Sequence, residues 1–277
     1  MGTSHLFVNT IKPMQGHFQN RANNWQQSLS FRRKKPVQSM TVGRILSTFQ
    51  PFPANAVLLG SCEDGLPFLM TFSDPEIGAI LVGGDAGCGK THQLQVMVDS
   101  AFRTHSPKDF QVVIFTHKPD EWVALQNHPW QKRYLQVLRA WYDRRIEKTI
   151  DELVDLAVAR RDGDRTGPAV MLIMDDFNFI ETLSLEVQVN LRWLLDYGPQ
   201  SNVWPIAAMN AGFALGYRYW MEAFRTRIIG RVTRCDRLEH LTLLPGSRMK
   251  SLGASEFRVW TGSDWLTYQI PLLGDAI

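Results

Sequence analysis

The residues best suited to chemistry form one run, Gly84-Asp85-Ala86-Gly87-Cys88-Gly89-Lys90-Thr91. Glycines at this spacing let backbone N–H groups turn inward around phosphate oxygens, and a helix starting at the lysine adds its positive dipole end. Lys90 is then placed to reach the β and γ phosphates of ATP, the Thr91 hydroxyl to ligate Mg²⁺, and His92 to follow as the next residue of the cradle. A glycine-rich turn without a ligand is the competing reading. Cys88 could be read as a redox switch, although the variable positions of such loops tolerate any small residue.

A second acidic element is needed on a neighbouring strand, to hold the metal and to position the attacking water. Val170-Met171-Leu172-Ile173-Met174-Asp175-Asp176 has that form. Asp175 is the expected magnesium residue and Asp176 the expected catalytic base; two carboxylates that merely cap the end of a strand are the alternative.

These residues require buried strands to carry them, and the hydrophobic pattern supplies them. Ala79–Val82, Val112–Phe115, Val170–Met174 and Trp204–Met209 are continuous apolar runs, as in parallel strands covered on both faces. Between them, Ile146, Ile150, Leu153 and Ala157 recur at helical spacing, as do Leu185, Val189 and Arg192 together with Val187, Leu191 and Leu194. The alternation predicts an α/β fold with a central, mainly parallel sheet flanked by helices, which together with the glycine loop resembles a P-loop NTPase core of RecA-like type. Upstream, Val57–Gly60 and Leu66–Met70 flank Asp64-Gly65, which predicts a hairpin.

With 277 residues, 44% of them hydrophobic, the chain can bury one full catalytic core. Residues 1–40 lack periodicity and end in Arg32-Arg33-Lys34-Lys35-Pro36, which predicts a basic arm, flexible or ordered by a partner, ahead of an ATPase domain over 41–277. The net charge of +3 permits a nucleic-acid partner without requiring one. Cys62, Cys88 and Cys235 are too few and too far apart for a disulfide framework or a zinc site, so a reducing cytoplasm is expected. The polar start lacks the apolar stretch of a signal peptide, and no run approaches the roughly 20 apolar residues of a spanning helix. A soluble protein is expected, or one held peripherally at the inner face of a membrane by a partner.

With both motifs placed, the segment from about Thr41 to Ile270 resembles the FtsK/HerA superfamily of ring-forming ATPases, which includes DNA translocases, conjugation coupling proteins, packaging motors and secretion ATPases. The hairpin precedes the loop as it does in the family. Phe110–Pro119 is similar to the family's second strand, with Thr116 or His117 near the place of its usual acid, and Ala159-Arg160-Arg161 closes a helix as a paired arginine does in the translocases. Tyr197–Asn210 follows the family's turn, strand and polar sensor, and Phe224–Val232 its Thr-Arg-Ile strand.

The resemblance implies ATP and Mg²⁺ as ligands, a hexameric homo-oligomeric ring, and Asn210 as sensor. It also implies an arginine finger acting across subunits, for which Arg160, Arg161, Arg225, Arg227 and Arg231 are candidates and Arg227 the first choice. Asp176 stands where most relatives carry Glu, and Asn210 where they carry Gln, so slow hydrolysis is expected. No winged-helix module or second ATPase repeat is evident.

Three functions remain open on this reading: a motor moving double-stranded DNA, a motor exporting protein with a membrane or secretion-complex partner at the basic arm, and a nucleotide-stabilised structural subunit. The nine tryptophans are read as core packing ahead of interface anchors.

Overall fold

The computed structural model describes residues 40–126, 135–140, 143–245, 252–253, 255–260 and 265–274. The basic arm, Trp130 and Trp141 lie outside the described residues. The strands are β1 (Ala56–Cys62), β2 (Pro67–Thr71), β3 (Ala79–Gly84), β4 (Phe110–Thr116), β5 (Leu135–Arg139), β6 (Ala169–Met174), β7 (Val203–Asn210), β8 (Phe224–Ile229), β9 (Glu256–Trp260) and β10 (Trp265–Gln269). The helices are α1 (Val42–Thr48), α2 (Lys90–Thr104), α3 (Val123–Gln126), α4 (Arg144–Arg161), α5 (Leu185–Tyr197), α6 (Arg218–Met221) and α7 (Cys235–Thr242).

All ten strands join one sheet in the order β2-β1-β10-β9-β8-β3-β7-β6-β4-β5. From β8 to β5 every neighbour is parallel, and from β8 back to β2 every neighbour is antiparallel. The continuous apolar runs follow from burial on both faces. In β6, Met171 and Ile173 face the layer that contains α1 and α2, whereas Val170, Leu172 and Met174 face the layer of α4, α5, α6 and α7. The predicted hairpin is β1 and β2, closed where the Cys62 N–H donates to the Leu66 carbonyl at 2.8 Å.

Helix α4 buries the predicted stripe of Ile146, Ile150, Leu153 and Ala157. Its N-cap, Asp143, accepts from the Arg145 N–H at 3.0 Å. Arg160, at its C-terminal end, donates to the carbonyls of Pro168 at 2.6 Å, Ser201 at 3.0 Å and Asn202 at 3.2 Å, tying the helix to the loops that enter β6 and β7. Helix α5 buries Val187, Leu191 and Leu194, and of the two stripes in its sequence leaves Leu185 and Val189 exposed. Trp122 and Trp204 are fully buried core residues, whereas Trp193, Trp260 and Trp265 are half-buried. No helix among the described residues is long and apolar enough to cross a membrane.

Candidate functional site

Strand β3 is buried along its length between β8 and β7, so the chain enters the glycine loop on a fixed heading. It turns through Gly87 at φ 73° and Gly89 at φ 98°, left-handed conformations that a Cβ would strain. Gly89 ends the loop without a side-chain cap, and the first intrahelical bond runs from the Gln93 N–H to its carbonyl at 2.9 Å. The N–H groups of Lys90, Thr91 and His92 therefore have no acceptor within the helix. They make an anion-binding terminus, the cradle that a nucleotide phosphate fits.

The Lys90 ammonium lies over this cradle, donating to the carbonyls of Gly84 at 3.2 Å and Asp85 at 2.9 Å. Cys88 is buried beneath the loop, and its burial pushes the thiol up against the opposing pull of the Lys90 charge. A thiol held neutral in this way is a poor nucleophile. Asp85 is tied to the segment after β8: its N–H donates to the Arg231 carbonyl and its carboxylate accepts from the Thr233 N–H and hydroxyl, all at 2.8 Å. The His92 ring pairs with the Pro271 carbonyl at 2.8 Å, so its backbone N–H is what remains for a phosphate.

Asp175 follows directly on β6 and is only 8% exposed. One carboxylate oxygen accepts from the Thr91 hydroxyl at 2.8 Å; the other accepts from the Trp122 indole at 3.1 Å and the Thr116 hydroxyl at 3.2 Å. Burial raises its pKa, while the bonds from Thr91, Trp122 and Thr116 pull the opposite way. The fold thus joins the two residues expected to hold magnesium, and a hydroxyl beside a carboxylate is a hard-oxygen set suited to that ion. The described residues contain no group of three or more His, Cys, Asp or Glu able to hold a metal. A cation here would draw its remaining ligands from water and phosphate.

Asp176 caps the 3₁₀ helix Phe177–Thr182 by accepting from the Asn178 N–H at 3.1 Å, and its second oxygen lies 3.6 Å from His117 Nδ1. Asp176 thus caps this helix, whereas Asp175 is held by the side chains of Thr91, Thr116 and Trp122 rather than serving as a second cap. Asn210 ends β7 opposite Gly84, between the loop and the acidic strand, and accepts from the Gly212 N–H at 3.2 Å. Arg227 lies within β8 opposite Leu81, three positions short of the Gly84 level, and donates to the Met221 carbonyl at 2.8 Å. Burial draws its pKa down to about 10.

Trp122 and Thr116 are the residues that the sequence did not assign to the site. Thr116 was legible only as a stand-in at the end of the second strand, and nothing local distinguishes Trp122 from any core tryptophan.

No protein-family model and no curated protein matches the sequence. Solved structures do match. ATPases 2 and 3 of EccC from Thermomonospora curvata, in complex with a signal sequence peptide, are 16% identical with a TM-score of 0.64, over 80% of this chain and 41% of that one. ATPases 2 and 3 of EssC from Geobacillus thermodenitrificans are 15% identical with a TM-score of 0.64, over 83% of this chain and 49% of that one. The conjugation coupling protein TcpA of pCW3, with ATPγS, is 14% identical with a TM-score of 0.57, over 81% of this chain and 68% of that one. The chain spans less than half the length of the two secretion ATPase structures. In its sheet order and in these likenesses, the chain has the α/β fold of these ATPase domains, with a phosphate-type loop between β3 and α2.

Proposed function

We propose that the chain binds magnesium-ATP at residues 84–92 and hydrolyses it as one subunit of a hexameric ring that moves a polymer. The observation that carries this reading is the 2.8 Å bond between Thr91 and Asp175, which unites the phosphate loop with the acidic strand. Bound magnesium supplies charge neutralisation at the phosphates. Lys90 swings from the loop carbonyls to the β and γ phosphates, adding charge-assisted hydrogen bonds. Asp176 orients the attacking water and accepts its proton, and Asn210 contacts the γ phosphate. Arg227 is the proposed finger toward the neighbouring subunit, a role for which its bond to Met221 must open.

The polymer that the family resemblance puts first is double-stranded DNA, gripped through phosphates by the basic arm and by the arginines between Arg225 and Arg234. Polypeptide is the second reading, favoured by the exposed Phe213 and Leu215 in the turn that follows Asn210. Either motor would work in the cytoplasm, docked to a membrane or secretion complex through the arm.

The test is the ATPase rate of the purified protein with and without duplex DNA, together with its mass in solution. Stimulation by DNA of any sequence, steeply lowered by salt, supports the DNA motor. Robust turnover indifferent to DNA reassigns the polymer to protein, and absent turnover reassigns the chain to a structural subunit.

A further inference from the structure

Arg237 reaches the phosphate loop from α7, a helix that no sequence motif marks as part of the site. Helix α7 buries Leu238 and Leu241, and a Cβ on Gly83 would fall 2.8 Å from Leu241 Cδ2, so the helix is seated against the strand that feeds the loop. The residue before Leu238 then points its guanidinium at the loop itself: Arg237 Nη1 stands 3.8 Å from Asp85 Oδ1. It also stands beside the end of β7. A Cβ on Gly212 would lie 3.7 Å from Asn210 Oδ1 and 3.9 Å from Arg237 Cζ, so the guanidinium and the Asn210 amide flank one glycine.

The contact with Asp85 is an ion pair without a hydrogen bond, since 3.8 Å is too long for one. Asp85 Oδ2 accepts from the Thr233 N–H and hydroxyl, whereas Oδ1 is buried and makes no hydrogen bond among the described residues. The Arg237 guanidinium makes none either among the described residues. Its neighbours in sequence are engaged: Arg234 donates to Asp236 at 2.9 Å and Arg227 to the Met221 carbonyl at 2.8 Å. A planar fork of unpaired donors beside an anion cradle matches a phosphate, whose oxygens accept two of them at once.

Lys90 meets Asp85 from its other end, donating to the carbonyl at 2.9 Å. Two cations thus converge on one loop residue, whose carboxylate offsets part of their charge. A triphosphate carries more negative charge than that carboxylate and draws both. Lys90 follows the loop toward the β and γ phosphates. Arg237, flanking the same glycine as Asn210, faces the γ phosphate that Asn210 contacts on the reading above.

We propose that Arg237 binds the γ phosphate within its own subunit, exchanging the long Asp85 contact for a bidentate one, and so makes the site prefer ATP to ADP. The proposal rests on the ATP-driven reading above and adds a specificity-determining residue to it. Unlike the finger at Arg227, it needs no neighbouring subunit.

The experiment titrates the full chain, as wild type, R237A and R237K, with magnesium-ATPγS and with magnesium-ADP, alongside melting temperatures. Wild type should bind ATPγS more tightly than ADP. R237A should lose about tenfold or more in ATPγS affinity, the range for hydrogen bonds to a charged group, with ADP affinity and melting temperature unchanged. R237K keeps the charge without the fork and should fall between the two, and it carries the test should R237A melt early. R237A should also turn ATP over about 10²- to 10³-fold more slowly. Lys90→Ala subunits mixed with R237A should restore none of that turnover, because every site with an intact lysine then lacks its arginine.

Undiminished ATPγS affinity in R237A overturns the proposal. So does an equal loss for ATPγS and ADP, which would reduce Arg237 to a prop for the loop. Rescue by Lys90→Ala subunits would place the contact across the subunit boundary and overturn it as well. Each of these outcomes leaves the ATP reading standing, whereas failure of wild type to bind either nucleotide sinks both.

Discussion

The indole N–H of Trp122 donates to the Asp175 carboxylate at 3.1 Å, on the oxygen that does not receive Thr91. A carboxylate buried beside the loop is thereby held from both sides, with the Thr91 side left to be shared with a cation. Replacing Trp122 by Phe keeps the ring and removes the donor. W122F should lose about 1–3 kcal/mol of stability, because a buried acceptor is left short of a partner. It should also raise the magnesium concentration needed for half-maximal ATP binding. Chemical denaturation and magnesium titrations check the two effects separately, and an unchanged magnesium requirement would reduce the bond to a packing detail.

Lys90→Ala should weaken magnesium-ATP binding by about 10- to 150-fold, the range expected for hydrogen bonds to a charged group. The bonds of Lys90 to the Gly84 and Asp85 carbonyls show that its ammonium already reaches across the loop. Titration calorimetry decides it, and undiminished affinity would remove the phosphate-loop assignment.

Asp176→Asn should retain ATP binding and lose turnover by about 10²- to 10⁴-fold, since an amide cannot accept the proton of water. The amide oxygen can still cap the helix through the Asn178 N–H, so the fold should hold. Single-turnover kinetics separate this outcome from a structural role, in which binding, melting and turnover would fall together.

Asp175 makes stability depend on pH with a definite sign. Burial raises its pKa in the folded state, so the stability it contributes is full below the unfolded value of about 4 and is lost as pH rises through the folded value. Asp175→Asn removes this dependence. Without nucleotide or magnesium, the melting temperature of the variant should gain on wild type as pH rises from about 4 toward neutrality. A difference that is flat with pH would show that the hydrogen bonds, rather than desolvation, govern the group.

Arg227→Ala distinguishes two uses of one side chain. Its bond to the Met221 carbonyl and its burial predict a stability loss of about 1–3 kcal/mol. A finger acting across subunits predicts in addition that Arg227→Ala subunits mixed with Lys90→Ala subunits regain turnover, each supplying what the other lacks. Mixed-subunit ATPase assays check it; stability loss without that rescue would move the finger to another arginine.

The sequence by itself determined the phosphate loop, the four apolar strands, the hairpin and the alternation of strand with helix. Each is written in contiguous residues, through glycine spacing, uninterrupted hydrophobicity or a helical stripe, and needs no distant partner to be recognised. Only the tertiary structure decided that β7 lies between β3 and β6, which brings Asn210 level with Gly84. It also decided that Trp122 belongs to Asp175, across 53 residues. Of the two apolar stripes on α5, packing against α4 and the sheet chose Val187, Leu191 and Leu194 and left Leu185 and Val189 outside. Strands β9 and β10 escaped local reading because they are short and mostly half-buried, β9 burying alternate residues and β10 burying Tyr268. Strand order, the choice of buried face and the convergence of side chains on one carboxylate are contacts between distant segments, and their energy resides in pairs that no window of local sequence contains.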